Sequence, residues 1–308
     1  MKVGFIGLGT MGAGIALNAI KNGYSLVVHD LDRASAARHL EGGATWAASP
    51  AEVGAGADVV FTSLPGPSEM EHVALGESGL IHGMKPGSAY FDLSTNAPKT
   101  VRSVHAAMGD KGIDVLDAPV SGGPAGANSG KLAIWVGGKR SVFDAHLPVL
   151  ESMSDQPFYV GEIGTGSVAK LVHNCSGYIL QTALAETFTM GVKAGVEPEA
   201  LFRAIRHGAL GRRRTFDGLA KQFLGGAYDP ADFALNLARK DVRLAVEVGR
   251  DYDVPMRLAN MTFEEMTEAV NRDWGHRDSR SAMLVQQERA DVDVTVARDT
   301  LDAILKGE

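Results

Sequence analysis

Lys2-Val3-Gly4-Phe5-Ile6-Gly7-Leu8-Gly9-Thr10-Met11-Gly12 stands at the start of the chain, and its reading decides the fold. A short apolar run ends at Ile6, glycines follow at 7, 9 and 12, and Ile15, Leu17 and Ile20 then recur with helical spacing as far as Asn22-Gly23. The order this dictates is strand, tight turn, helix. Gly7 permits the turn, Gly9 lets backbone N–H groups approach a pyrophosphate, and Gly12 lets the helix pack close to the strand with its positive end toward the phosphates. Such a motif is weak evidence by itself in a chain with 37 glycines. A strand before it, a helix after it and an acidic residue about twenty positions on make it a dinucleotide site. Gly7, Leu8, Gly9, Met11 and Gly12 are its candidate cofactor contacts.

The acidic residue is Asp30, which closes a second strand, Leu26 to His29. Its carboxylate can accept hydrogen bonds from both ribose hydroxyls and repels a 2′-phosphate, so NAD is favoured over NADP. Arg33, three residues later, can pair with that phosphate and keeps NADP open. Strands and helices continue to alternate. Asp58 to Thr62 and Ser88 to Leu93 read as buried strands, and in a doubly wound sheet the ligand lies at the strands' carboxyl ends. Leu64 and Pro65 after the first, and Thr95 after the second, are therefore cofactor candidates. Val115 to Ala118 is a further strand. The glycine-rich stretch Pro119 to Gly130 reads as a loop whose exposed N–H groups suit a carboxylate or phosphate. Leu132 to Val136, a helix over Ser141 to Met153, and a last strand at Phe158 to Val160 complete this half, with Gly161 to Gly164 as the hinge.

From there the pattern changes to helices throughout. The expected architecture is α/β: a Rossmann-type doubly wound sheet domain over residues 1–163, then an all-helical domain over 164–308, joined by one long helix. That helix opens Gly164-Thr165-Gly166-Ser167-Val168-Ala169-Lys170 and runs on without proline to Ala194, with Ser167 as a plausible N-cap. Lys170 and Asn174 share a face, with His173 beside them and Tyr178 a turn on. Their neighbours Leu171, Val172, Ile179, Leu180, Ala183 and Leu184 read as buried. Further helices are expected at Pro198 to His207, Gly218 to Phe223, Ala234 to Tyr252, Leu258 to Asn271, Ser279 to Ala290 and Val294 to Leu305. On the residues alone, Lys240 is a surface charge paired with Asp241.

Composition narrows the function. In 308 residues there are 30 Lys plus Arg against 37 Asp plus Glu, a net charge of −7, which gives no electrostatic footprint for nucleic acid or an anionic membrane. No apolar run reaches the roughly 20 residues of a membrane span, and no signal-peptide pattern is seen, so a cytoplasmic protein is expected. Cys175 is the sole cysteine, which excludes an internal disulfide and a multi-thiolate metal site. The nine histidines are scattered without ligand spacing, and no metal is expected.

Four stretches in order resemble the β-hydroxyacid dehydrogenase family, which includes 3-hydroxyisobutyrate dehydrogenase and tartronate semialdehyde reductase. They are Gly4 to Gly12, Asp117-Ala118-Pro119-Val120-Ser121-Gly122-Gly123, Gly164-Thr165-Gly166 through Lys170 to Asn174, and Lys240-Asp241 with Leu244-Ala245. The resemblance spans roughly residues 2 to 290. It implies an NAD(P)-dependent oxidoreductase interconverting a small 3-hydroxy acid and its semialdehyde. Lys170 would be the acid/base, Asn174 would support the substrate, and Ser121, Gly122 and Gly123 would hold its carboxylate. Thr95 and Lys240 would contact the cofactor near the reacting ring. The family commonly has Asn where His173 stands. It also implies assembly through the helical half, as a homodimer or homotetramer.

Tartronate semialdehyde or a related dianionic semialdehyde is the alternative substrate, for which Arg212-Arg213-Arg214 could bind a second acidic group. A solvated run, or one contacting a helix end, is the plainer reading of those arginines. A decarboxylating 6-phosphogluconate dehydrogenase is expected to have a longer helical half. A non-catalytic dinucleotide-binding module would need neither Lys170 nor the Ser121 stretch, and imine reductases typically lack lysine at position 170.

Overall fold

The computed structural model describes residues 1–193, 195–208, 212, 215–251 and 256–306. The chain falls into two compact units, Met1–His173 and Asn174–Glu308.

The first unit alternates strand and helix: β1 (Lys2–Ile6), α1 (Gly12–Lys21), β2 (Ser25–His29), α2 (Ala37–Glu41), β3 (Thr45–Trp46), α3 (Pro50–Gly56), β4 (Val59–Thr62), α4 (Pro67–Leu75), β5 (Ala89–Asp92), α5 (Pro98–Gly109) and β6 (Asp114–Asp117). These strands lie parallel in the order β3-β2-β1-β4-β5-β6. Chain direction across the sheet therefore reverses between β1 and β4, the switch point where a doubly wound sheet opens its ligand crevice. Helices on both faces explain why β4 and β5 are buried at every position. Phe5, Phe61, Phe91 and Ile15 fill one face, and Val60, Tyr90, Val53 and Met70 the other.

Beyond β6 come β7 (Val120–Ser121), α6 (Gly123–Ser129), β8 (Ala133–Gly137), α7 (Arg140–Met153) and β9 (Gln156–Gly161). β8 runs antiparallel to β6 and β7 and parallel to β9. The stretch from Pro119 to Gly130 is thus a strand and a helix, not a loop. Its small residues serve close packing: α6 lies on α1, where a Cβ on Gly14 would stand 2.8 Å from the Ala127 carbonyl, and Asn18 Nδ2 donates to the Ala127 oxygen at 2.8 Å.

The long helix α8 (Thr165–Lys193) starts two residues before Ser167, which is fully buried inside its first turn and is not its cap. Its apolar positions also divide differently from expectation. Leu171 and Leu184 are buried, whereas Val172 is 60% exposed, Leu180 37% exposed, and Ala183 exposed.

In the second unit α9 (Pro198–His207), α10 (Leu235–Asp251), α11 (Arg257–Val270), α12 (Leu284–Ala290) and α13 (Arg298–Lys306) follow. Three expected helices are shorter or tighter. Thr215–Leu219 is a 3₁₀ turn with irregular turns after it, and Ser279–Met283 is 3₁₀ ahead of α12. There the buried Asp278 caps the Arg280 N–H locally and also accepts from Asp232 and Phe233, which fixes a tight start. The last helix begins only at Arg298, because Val294 and Val296 lie outside any helix and are buried with Phe188, Phe202 and Phe223, the Val296 N–H donating to the Leu224 carbonyl. Among the described residues, no helix is long and apolar enough to cross a membrane.

Candidate active site

The glycine turn is built as its spacing demands. Gly7 has φ of +90°, and a Cβ there would stand 2.2 Å from the Ser63 carbonyl oxygen; one on Gly12 would stand 1.8 Å from the Gly7 oxygen. Both positions hold strand and helix together. Gly9 is different: nothing lies within 4 Å of where its Cβ would be. A residue kept bare in front of open space, beside a helix start, fits the pyrophosphate of a dinucleotide. Such a group would be held by Gly7 to Gly12.

Asp30 follows β2 and reaches back to that turn. Its Oδ2 accepts the Leu8 N–H at 2.6 Å and its Oδ1 the Asp32 N–H at 2.9 Å. An ionised carboxylate offers about four acceptor positions, so two remain for ribose hydroxyls. Arg33 lies with its guanidinium 5.7 Å from the centre of the half-buried Trp46 ring.

Leu64, Pro65 and Thr95 follow the carboxyl ends of β4 and β5, and a buried polar cluster joins their two loops. Asp92, fully buried, accepts from Thr62 Oγ1 and Ser94 Oγ at 2.7 Å and from Asn96 Nδ2 at 2.5 Å, and Ser94 Oγ in turn accepts the Leu64 N–H at 2.8 Å. Burial pushes the Asp92 carboxyl up against the pull of those bonds. The Tyr90 hydroxyl, 3.0 Å from Thr62 Oγ1, is pushed well up by burial and then by the Asp92 charge. Sequence reading missed this cluster. Its one signal was a run of Asp, Ser, Thr and Asn at the end of an apolar strand.

Asp117, at the end of β6, opens the motif that runs to Gly123. It is fully buried, and its two oxygens accept the Gly164 N–H at 2.7 Å and the Ser167 N–H at 2.5 Å. It therefore caps α8 from about fifty residues away in sequence. Burial pushes its carboxyl up to about 6, with the two amide bonds pulling the other way. The same strand end leads through Pro119 into Ser121, Gly122 and Gly123. Gly122 has φ of +137° and Gly123 of +62°, and the space where a Gly123 Cβ would stand is open. Lys170 lies one turn into α8, half-buried, and the exposed His173 has its ring 5.1 Å from that of Trp135 on β8.

In the second unit the carboxylate of Asp241, 1% exposed on α10, gathers two of the expected residues. Its Oδ2 accepts from Asn174 Nδ2 at 2.7 Å, and its Oδ1 pairs with Lys240 Nζ at 2.8 Å. Lys240 is thus Asp241's partner, but it is half-buried and not the surface charge expected. The Tyr178 hydroxyl is pushed well up by burial and then by the Asp241 charge. Arg212 Nε donates to the His207 carbonyl at the carboxyl end of α9, at 3.0 Å. Arg213 and Arg214 lie outside the described residues. Among the described residues no group of His, Cys, Asp or Glu could hold a metal ion.

Comparison with known proteins agrees. Residues 2–161 match the NAD binding domain of 6-phosphogluconate dehydrogenase, and residues 164–301 match the NAD-binding region of NADP-dependent 3-hydroxyisobutyrate dehydrogenase. The chain is 32% identical to 2-(hydroxymethyl)glutarate dehydrogenase of Eubacterium barkeri over 96% of its own length and 98% of that protein's. It is 36% identical to 3-hydroxyisobutyrate dehydrogenase of Pseudomonas aeruginosa over 79% of this chain and 84% of the relative. Its fold is similar to that of Mycobacterium tuberculosis 3-hydroxyisobutyrate dehydrogenase with L-serine, with a TM-score of 0.82 and 27% identity over 92% of this chain and 98% of the other. Fold and sequence together define an oxidoreductase that binds a nicotinamide dinucleotide. The chain belongs to the β-hydroxyacid dehydrogenase family, whose members act on CH–OH donors.

Proposed function

We propose that this protein interconverts a small 2-substituted 3-hydroxypropanoate and the corresponding semialdehyde, with NAD preferred to NADP and Lys170 as the acid/base. The observation that carries the reading is at the end of β6. One strand terminus supplies both Asp117, which holds the start of the Lys170 helix, and the Ser121-Gly122-Gly123 turn suited to a carboxylate. The substrate class follows from the relatives' names. 3-Hydroxyisobutyrate, 2-(hydroxymethyl)glutarate and serine share a hydroxymethyl group on the carbon that bears the carboxylate, and differ only in the third substituent.

The nicotinamide, when bound, supplies the redox chemistry. Ser121, Gly122 and Gly123 hold the substrate carboxylate, and Asn174 orients the hydroxyl. Thr95 and Lys240 support the ring, while Gly7, Leu8, Gly9, Met11, Gly12, Leu64 and Pro65 line the dinucleotide. A neutral Lys170 Nζ accepts the hydroxyl proton in oxidation, and its ammonium returns a proton to the carbonyl oxygen in reduction. The NAD preference rests on Asp30, whose two remaining acceptor positions suit ribose hydroxyls and not a phosphate. Assembly of two or more copies through the helical half is proposed from the family resemblance alone.

Lys170→Ala tests the central role. Turnover should fall by roughly 10²- to 10⁴-fold, the range of general acid–base catalysis, while NADH binding is retained. A variant that keeps parental turnover would remove Lys170 from the chemistry.

A further inference from the structure

We infer that Asp117 is a positioning residue for the reaction: its carboxylate, clamped on the Gly164 and Ser167 N–H groups, sets where the helix bearing Lys170 points. The inference rests on Lys170 being the acid/base. Helix α8, like any helix, begins with N–H groups that have no intrahelical acceptor, and buried ones must find a partner. A serine or threonine just ahead of the helix would satisfy them locally, and would hold the turn together without fixing its direction. This chain instead spends a buried charge from another element. Asp117 is the last residue of β6, so its two bonds, at 2.7 and 2.5 Å, register the helix start to the sheet.

The surroundings are shaped for that clamp. A Cβ on Gly137 would stand 2.6 Å from Asp117 Oδ1, and one on Gly166 would stand 2.3 Å from the Trp135 oxygen and 2.8 Å from the Asp117 oxygen. Gly164 supplies the left-handed bend, φ +90°, that aims its N–H at the carboxylate. Arg102 Nε adds a tie from α5 to the Ile163 carbonyl at 3.3 Å. Burial pushes the Asp117 carboxyl up to about 6, so holding it ionised on the two amides costs stability. Three residues and one turn separate the clamped Ser167 from Lys170, so a tilt of the first turn is passed directly to the amine.

The test is Asp117→Asn, which keeps the shape and one acceptor but turns an N–H₂ toward the second amide. Misplacement of a reacting group by about 1 Å can cost roughly 10²-fold in rate. We expect kcat per folded molecule to fall at least about tenfold on that ground, with the dissociation constant of NADH and the KM of the hydroxy acid changed less than about threefold. A kcat within about twofold of the parent would overturn the inference. Lys170→Ala, assayed alongside, separates the two failures: if Lys170→Ala is inactive and Asp117→Asn is fully active, the clamp is wrong and the acid/base stands; if Lys170→Ala is active, the acid/base reading falls first. Should Asp117→Asn not fold, hydrogen exchange in the parent decides. Slow exchange at the Gly164 and Ser167 amides supports the clamp, and exchange at the rate of an open chain refutes it.

Discussion

Replacing Asp117 by Asn removes one titration from the folded protein, and its thermodynamic signature has a definite sign. Burial raises the Asp117 carboxyl from 3.8 to about 6. In the window between those values the folded state holds a proton that the unfolded chain has released, so the parent loses stability as pH rises through the window and is level above it. A shift of about 2 units corresponds to roughly 3 kcal/mol over the full window. Between pH about 7.5 and about 5 the linkage relation gives about 1.4 kcal/mol of that, in favour of the parent as the pH falls. The variant has no such group, while Asp92 and every other buried acid titrate alike in both proteins and cancel. Urea titrations of the two at several pH values, followed by circular dichroism, should therefore give a parent-minus-variant stability difference that grows toward acid. A difference independent of pH would show that Asp117 is not held in the buried, desolvated state described.

Two other substitutions separate scaffold from site. Gly12→Ala would drive a methyl to 1.8 Å from the Gly7 oxygen and should destabilise the sheet unit by about 3 kcal/mol or more, read in the same titrations. Gly9→Ala meets nothing within 4 Å and should leave stability within about 1 kcal/mol of the parent, yet weaken NADH binding at least tenfold, on the order of what a methyl between backbone and pyrophosphate removes; unchanged affinity would move the phosphates elsewhere. Asp30→Ala should narrow the preference for NAD over NADP in kcat/KM by about tenfold or more through loss of a repulsion and two acceptor positions, and an unaltered ratio would dismiss Asp30 as its cause.

What the sequence made legible was local. Gly7, Gly9 and Gly12 lie within six consecutive residues, and Gly12 packs on the Gly7 oxygen itself, so the first strand, turn and helix could be read directly, although the close approach of Gly7 to the distant Ser63 carbonyl could not. Asp30 was legible because an acidic residue at the end of the second strand, about twenty positions after the glycines, belongs to the same motif. Asp117 was not, because its partners Gly164 and Ser167 are distant in the chain and a cap is expected from the residue just before the helix; Ser167 took that role in the reading and lost it in the structure. The stretch from Pro119 to Gly130 looked like a loop because glycine is a poor helix former, yet small residues were what α6 needed to lie against Gly14. Val172 and Leu180 were read as core from their hydrophobicity alone, which does not distinguish a core face from one left exposed. The Asp92 cluster depended on Thr62 meeting Asp92 across two strands and Leu64 meeting Ser94 between the loops that follow them, a register that no single stretch contains.

Initial rates of nicotinamide reduction with 3-hydroxyisobutyrate, serine and 2-(hydroxymethyl)glutarate, each with NAD and with NADP, for the parent and for Lys170→Ala, test the account most directly. It predicts turnover by the parent on at least one of these primary alcohols, faster with NAD, and its near-complete loss in the variant. Equal rates in parent and variant, or a parent that binds NADH tightly and oxidises none of the three, would contradict it.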